Sequence, residues 1–336
     1  MVNSMDVLKY LEERARLVER EIDRWVPPEF KPEILAKATR HLIDAGGKRL
    51  RPCIVLTACE AVGGRPEDAI ETAAALELLH NFTLIHDDIM DRDEFRRNVK
   101  TVHMLWGEPV AIIAGDALFA KVFEAVAANA RRLKLESDRI VELFDAISRA
   151  SFEICRGQAF DMVFEGRKSV SEEEYMSMVS RKTGALTEAS AKVGALLGRG
   201  EPKQVEAIAS YGRLIGIAFQ MQDDVLGVVG NQKKFGKPIG SDIREGKRTL
   251  VIIKALSTAP KKNRTTILRV LGKRDASKQD IEAAIGALKR SGAVDYVAES
   301  ARKFVSDAKS KLTLLPKSKA KETLLALADF VVEREF

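Results

Sequence analysis

Along most of this chain, apolar and small side chains recur at intervals of three and four, the period of a helix with one face turned inward. Six long stretches show it: 69–86, 111–134, 138–164, 172–197, 203–229 and 279–313. They are filled with Ala, Leu, Glu, Lys and Met, and the strict alternation of a half-buried strand is scarce. Breaks fall at Val26-Pro27-Pro28, Gly46-Gly47, Gly63-Gly64-Arg65-Pro66, Gly107-Glu108-Pro109, Gly198-Arg199-Gly200-Glu201-Pro202 and over the Gly-rich stretch 227–248. None has the composition of an interdomain linker, and no internal repeat is found. The pattern predicts an all-α protein with one large domain over 1–336. The basic segment 258–278 reads as a solvated turn between helices.

Composition narrows the class further. With 46% hydrophobic residues the chain can fill a sizeable core, which excludes disorder as its dominant state. Three cysteines, Cys53, Cys59 and Cys155, cannot staple 336 residues, so a secreted disulfide scaffold is excluded and a reducing compartment expected. All three lie in helical, apolar stretches and read as inert core residues. Lys and Arg number 55 against 49 Asp and Glu, a net +6 that suits an anionic ligand but falls short of a nucleic-acid footprint. The N-terminal stretch is acidic from Asp6 onward and matches neither a signal nor a transit peptide. The most apolar stretch, 109–128, is interrupted by Asp116, Lys121 and Glu124, so no transmembrane segment is expected and a cytoplasmic location is.

The chemistry concentrates at the ends of two apolar helices. In Asp87-Asp88-Ile89-Met90-Asp91, helical geometry sets Asp87 and Asp91 about 40° apart on the wheel and one turn apart, with carboxylates within roughly 6 Å. Carboxylates this close repel one another unless a cation neutralises them. A second pair, Asp223-Asp224, ends the run 203–222. Two such clusters suit Mg²⁺, which takes its remaining ligands from water and substrate phosphates. Cations are distributed to agree: Lys48, Arg49 and Arg51 after Gly46-Gly47, then Arg96-Arg97, Lys182 before Thr183-Gly184, and Lys237 and Lys247 flanking Gly240-Ser241-Asp242. No Walker-type phosphate loop occurs, and the helical pattern leaves no parallel sheet for a nucleotide fold.

Taken in order, GGKRLRP at 46–52, HNFTLIHDDIMD at 80–91, RR at 96–97, AGDAL at 114–118, GQAFD at 157–161, KTG at 182–184, FQMQDD at 219–224 and FGKPIGSDIREGKRT at 235–249 make nearly the whole chain resemble the trans-isoprenyl diphosphate synthases, most of all the archaeal-type geranylgeranyl diphosphate synthases. The resemblance implies an isoprenoid synthase fold, a helical bundle around a deep central cavity. It also implies a homodimer that joins isopentenyl diphosphate to allylic diphosphates of C5, C10 or C15 with three Mg²⁺ per site. Carried over residue by residue, it makes Asp87, Asp91 and Asp223 the Mg²⁺ ligands, supported by Asp88 and Asp224. Arg96, Lys182, Thr183, Gln220, Lys237 and Lys247 become the grip on the allylic diphosphate. Lys48, Arg51, His80 and Arg97 become the isopentenyl diphosphate site. The catalytic set so implied is Asp87, Asp88, Asp91, Lys182, Asp223 and Lys237.

Two positions depart from the family pattern. The second motif commonly has a third Asp where this chain has Gly227, and the residue after Arg96-Arg97, commonly Gly, is Asn98. In the family, residues four and five before the first aspartate help form the floor of the tail cavity; here they are Thr83 and Phe82. A single aromatic at the fifth position implies a C20 product, with a C15 or mixed C15/C20 product as the alternative. Two more distant readings are weaker. A class I terpene cyclase would space Asn/Asp, Ser/Thr and Glu where 223, 227 and 231 are Asp, Gly and Asn, and a non-catalytic regulatory subunit would be expected to lose aspartates that this chain keeps.

Overall fold

A computed structural model describes residues 4–230 and 240–333. In chain order its helices begin with α1 (Ser4–Trp25), α2 (Glu33–Asp44), α3 (Leu50–Ala61) and α4 (Ile70–Asp91). A hairpin of β1 (Phe95–Arg96) and β2 (Val99–Lys100) leads to α5 (Val102–Trp106), α6 (Glu108–Leu133) and α7 (Ser137–Glu165). Next, α8 (Glu172–Val179) passes through one π-helical turn, Ser180–Gly184, into α9 (Ala185–Leu197), and α10 (Pro202–Val229) follows. The rest comprises α11 (Ser241–Glu245), α12 (Leu250–Thr258), α13 (Lys261–Val270), α14 (Lys278–Arg290), α15 (Ala293–Lys311) and α16 (Lys319–Glu333). The all-α fold expected from the apolar periodicity is what forms.

Backbone contacts group the chain into two compact units. The first comprises Met1–Arg149, Leu186–Gly212 and Lys311–Leu327; the second comprises Ala150–Ala185, Arg213–Ser310 and Ala328–Phe336. In the first unit α4 is the central element. Glu71 through Leu79 are all buried, so this stretch has no solvent face, as a helix apolar on every side requires. α4 lies antiparallel to α6. Thr72, near the start of α4, donates to Asn129 near the end of α6, while Phe82 lies against Phe119 further back along α6. Gly115 on α6 lets the two helices approach closely, since a Cβ there would stand 2.3 Å from His86 Nε2 on α4. The second unit has its own core, in which Tyr175 and Val179 pack with Ile217, Met221 and Val225 of α10 and with Leu250, Val251 and Ile252 of α12.

The helix that carries the acidic motif runs to Asp91, as the wheel placement of Asp87 and Asp91 requires, and Arg92 in the left-handed conformation (φ 56°) caps it. Three local expectations are corrected. The run 279–313 is two helices, broken where Gly292 takes φ 75°. The basic segment 258–278 contains α13, because Ile267 and Val270 are buried on one face while its charged residues stay outside. Of the three cysteines only Cys53 and Cys59 are buried. Cys155 is exposed on α7, so its apolar neighbourhood along the chain did not make it a core residue. No helix among the described residues is long and apolar enough to cross a membrane.

Candidate active site

In the first unit the acidic motif occupies the last turn of α4. Asp88 faces inward and is fully buried, whereas Asp87 and Asp91 are half-buried on the adjoining face, one turn apart. The buried charge of Asp88 is met by Arg96, whose Nε and Nη2 lie 2.7 and 2.5 Å from Asp88 Oδ1; Nη2 also donates to Asp93 Oδ2 at 3.1 Å. Burial alone would push the Arg96 guanidinium toward neutrality, and Asp88, Asp93 and Asp87 together raise it instead. Arg96 Nε and Nη2 are therefore taken up by the motif itself. The motif's other neighbour, His86, is turned onto α6, with Nε2 3.2 Å from Ile112 O. The donors at this end of α4 are thus carboxylate oxygens.

The hairpin explains why Asn replaces the usual Gly at 98. Arg96 pairs with Val99, leaving the two-residue turn Arg97-Asn98 with φ of 53° and 63°. A turn with both central residues left-handed suits the twist of a hairpin, and Asn tolerates that conformation better than most side chains. Arg97 takes the strained position, and its guanidinium turns inward, donating to Leu42 O at 2.5 Å. Arg96 and Arg97, adjacent in sequence, consequently serve different surroundings.

Close to Arg97 lie Arg51 and His80. Arg51 Nη1 donates to His80 Nε2 at 3.1 Å. Burial first, and then the charges of Arg51, Arg97, Arg96 and Arg49, hold the His80 imidazole well below its usual range. His80 therefore acts as a neutral acceptor that orients Arg51. Lys48 is exposed just before α3. Phe82 and Thr83 sit one turn further from the aspartates than His86. Thr83 Oγ1 donates to its own helix at His80 O (2.8 Å), and Phe82 makes an edge contact with His86 at 4.7 Å.

In the second unit a different cationic group forms. Lys182 belongs to the π-helical turn, a widened turn of the kind found at functional positions. Its backbone lies so close to α7 that a Cβ on Gly157 would come within 2.3 Å of Lys182 N, so only glycine fits there. One turn along α7, Asp161 Oδ2 accepts from Lys182 Nζ at 2.6 Å and from Lys247 Nζ at 3.3 Å. Burial works to raise the Asp161 carboxyl, but the two lysines outweigh it and hold it below the usual carboxylate range. Lys247 also contacts Glu165 at 2.7 Å. Lys237 lies outside the described residues.

Along α10 the second motif divides in the same way as the first. Asp223 is half-buried, and Asp224 faces the core. Asp224 Oδ2 accepts from Tyr175 Oη at 2.7 Å and from Leu250 N at 2.9 Å; Oδ1 accepts from Gln220 Nε2 at 3.2 Å. Gln220 Oε1 in turn accepts from Thr183 Oγ1 at 2.9 Å, which ties Thr183 and Gln220 into one chain of bonds. Gly227, where a third aspartate is common, leaves room that another carboxylate uses. A Cβ there would stand 2.9 Å from Asp242 Oδ2.

Burial pushes the Asp224 carboxyl up to about 7; the bonds from Tyr175 and Leu250 pull it down, and Asp242 opposes them. The folded chain thus keeps a proton that the unfolded chain, with a carboxyl near ~3.9, releases. In metal-free protein this contribution is largest below about pH 4 and is lost as the pH rises toward 7. Asp224→Asn is expected to lie close to the parent in thermal midpoint at pH 4 and to exceed it by a growing margin up to pH 8. A constant difference across that range would show that this carboxyl does not titrate there.

The donor set fits a hard divalent cation. Asp87 and Asp91 in the first unit, and Asp223 in the second, offer only half-exposed carboxylate oxygens, the ligands that Mg²⁺ prefers. Among the described residues no three His, Cys, Asp or Glu side chains converge on one point. A cation here would draw its other ligands from water and substrate phosphates. Asp161 and Tyr175 carried no assigned role from their spacing alone. Asp161 was legible only as part of GQAFD, and Tyr175 gave no signal, since its partner is 49 residues away.

Comparison with known proteins bears on this arrangement. A model of the polyprenyl synthetase family matches residues 32–288. A short chain isoprenyl diphosphate synthase from Methanothermobacter thermautotrophicus is 47% identical over 336 residues, covering all of both chains. The crystal structure of geranylgeranyl pyrophosphate synthetase from Pyrococcus horikoshii superposes with a TM-score of 0.91 at 47% identity, over 98% of this chain and 99% of that one. The geranylgeranyl pyrophosphate synthase from Corynebacterium glutamicum, solved with isoprenyl diphosphate and magnesium, gives 0.87 at 28% identity, over 98% and 99%.

Proposed function

Because the chain belongs to the polyprenyl synthetase family, we propose that it is a Mg²⁺-dependent prenyltransferase that extends C5, C10 and C15 allylic diphosphates with isopentenyl diphosphate to all-trans geranylgeranyl diphosphate. The observation that carries the reading is the pairing at α4: two half-exposed carboxylates one turn apart, backed by a buried Asp88–Arg96 pair, beside the Arg51–His80–Arg97 group. The family match spans segments of both units, which supports their working as one catalytic domain.

In this reading Asp87, Asp91 and Asp223 hold three Mg²⁺, which neutralise the departing diphosphate and lower the barrier to breaking the allylic C–O bond. Lys182 and Lys247, gathered by Asp161, grip the allylic diphosphate together with Thr183 and Gln220, and Lys237 joins them from outside the described residues. Asp88 and Arg96 keep the turn that carries Asp87 and Asp91 in place. Lys48, Arg51, His80 and Arg97 hold isopentenyl diphosphate. The C–O bond breaks with its electron pair on the diphosphate, the isopentenyl double bond attacks the allylic carbon, and a proton lost to the released diphosphate restores an alkene. No serine or cysteine nucleophile takes part. Burial pushes the thiol of Cys53 well above the ordinary cysteine range and that of Cys59 to about 12, which suits inert thiols in a reducing, cytoplasmic compartment.

The assembly read for this chain is a homodimer. Its support is the exposed apolar start of α6 in the first unit, where Ile112 and Ile113 are 45% and 56% exposed. The decisive assay incubates purified protein with labelled isopentenyl diphosphate and each of the C5, C10 and C15 primers, with and without Mg²⁺, and sizes the products. The expected result is Mg²⁺-dependent extension ending at C20. Calorimetric binding of a diphosphate analogue that ignores Mg²⁺, with no extension, would favour a regulatory subunit instead.

A further inference from the structure

Glu77 lies at the middle of α4, ten residues before the acidic motif, and its side chain is 2% exposed. A carboxylate seldom goes so deep without compelling partners, because burying it alone costs several kcal/mol (roughly, by desolvation). Its partners are the two arginines that border the isopentenyl diphosphate site without being adjacent in sequence. Arg49 Nη1 donates to Glu77 Oε1 at 2.8 Å, and Arg97 Nη2 stands 4.0 Å from the same oxygen. Asn81, one turn on, closes the group: its Nδ2 donates to Glu77 Oε1 at 3.2 Å and its Oδ1 accepts from Arg97 Nη1 at 3.4 Å.

Both arginines pin backbone as well. Arg49 donates to Ile43 O at 2.8 Å and Arg97 to Leu42 O at 2.5 Å, so the end of α2 and the tip of the hairpin are fastened to one point on α4. The diglycine is part of the same packing. Gly47 takes φ 149°, and a Cβ on it would come 3.1 Å from the Arg97 guanidinium, so any other residue would press Arg97 away. Arg49 itself adopts the left-handed conformation (φ 48°) at the start of α3, which directs its side chain inward while Lys48 stays exposed. Burial lowers Arg97 to about 10; the Glu77 charge acts against that loss, while Arg49, Arg96 and Arg51 add to it.

We propose that Glu77 is a positioning residue for the isopentenyl diphosphate site: its buried carboxylate holds Arg49 and Arg97 together and so sets where Lys48, Arg51 and Arg97 meet the second diphosphate. The inference rests on the reading of these cations as that site. Glu77 touches no substrate. Without its charge, Arg49 keeps only the half-exposed Glu19, 3.5 Å from its Nε, and Arg97 keeps no carboxylate within 4 Å among the described residues; the two guanidinium groups then repel each other across Gly47, and the hairpin tip and the diglycine segment move apart.

Glu77→Gln keeps the shape and one acceptor but removes the charge. It is expected to raise KM for isopentenyl diphosphate about tenfold, as loss of a supporting group does at an ordered site, while KM for the allylic primer changes less than about twofold. Calorimetric titration of isopentenyl diphosphate alone is expected to weaken by the same factor. Merely structural damage would lower the active fraction, and hence kcat, without separating the two KM values. The double variant Glu77→Gln/Arg49→Met removes Arg49 together with the charge it pairs with and leaves Arg97 on Leu42 O and Asn81, which guards against misfolding. It is expected to regain thermal stability while KM for isopentenyl diphosphate stays raised. Equal KM shifts for both substrates, or no shift in folded Glu77→Gln protein, would overturn the proposal and leave the prenyltransferase reading intact. A parent protein that extends no primer would overturn the reading itself.

Discussion

Asp87→Ala is expected to lower kcat about a thousandfold, with little effect on folding. The size follows from charge. A bound divalent cation contributes several kcal/mol to stabilising a departing diphosphate, and losing about 4 kcal/mol of that slows the step roughly 10³-fold. The small structural effect follows from exposure: Asp87 is half-buried, whereas the buried partner of Arg96 is its neighbour Asp88. Asp88→Ala is expected to behave differently. It takes away the buried carboxylate partner of Arg96 and leaves the guanidinium with Asp93, and breaking a buried pair costs up to about 3–5 kcal/mol, so that variant should show a lowered thermal midpoint. Circular dichroism melts alongside product formation at several Mg²⁺ concentrations separate the two. Asp87→Ala protein that folded normally and kept more than a tenth of its activity would remove Asp87 from the metal-binding set.

Phe82→Ala is expected to lengthen the main product beyond C20, and only by a limited amount. Phe82 starts an aromatic series: its ring lies 4.9 Å from Phe119, which lies 5.1 Å from Phe123, which lies 6.2 Å from Phe144. Since α4 and α6 are antiparallel, the step from Phe119 to Phe123 leads away from Asp87. The step from Phe119 to Phe123 is one helical turn, ~5.4 Å, about the length of an isoprene unit. Removing the first ring frees a space comparable to one more unit, and the next rings still close it. Chromatography of dephosphorylated products should therefore show C25 replacing C20 as the main species. An unchanged C20 product would make Phe82 a packing residue of the α4–α6 contact. Phe82→Ala/Phe119→Ala is expected to shift the distribution further.

The helices were legible because a period of 3.6 is a local property, and α7 and α10 match the stretches 138–164 and 203–229 to within a residue or two. The acidic motifs were legible for the same reason, since a helix must place residues four apart on one side. Less was visible where a contact joins distant segments. Asp161 meets Lys247 across 86 residues, and the partner of Arg49 is 28 residues away on α4. The break at Gly292 was missed because a single Gly between two helical runs is weak punctuation. The helix within 258–278 was missed because its charge hid two apolar positions.

From residue types and their spacing alone come the helical class, the two acidic helix ends, the scattered cations and the motif order that marks the family. Each of these is carried by neighbours along the chain. Folding adds the division of labour within each motif. Asp88 and Asp224 turn inward while Asp87, Asp91 and Asp223 stay half-exposed, and Arg96 is bound to an aspartate while Arg97 joins Glu77. Charges identical on paper differ here because the free energy of a charge depends on what has packed around it, and that is set by elements far apart in the chain.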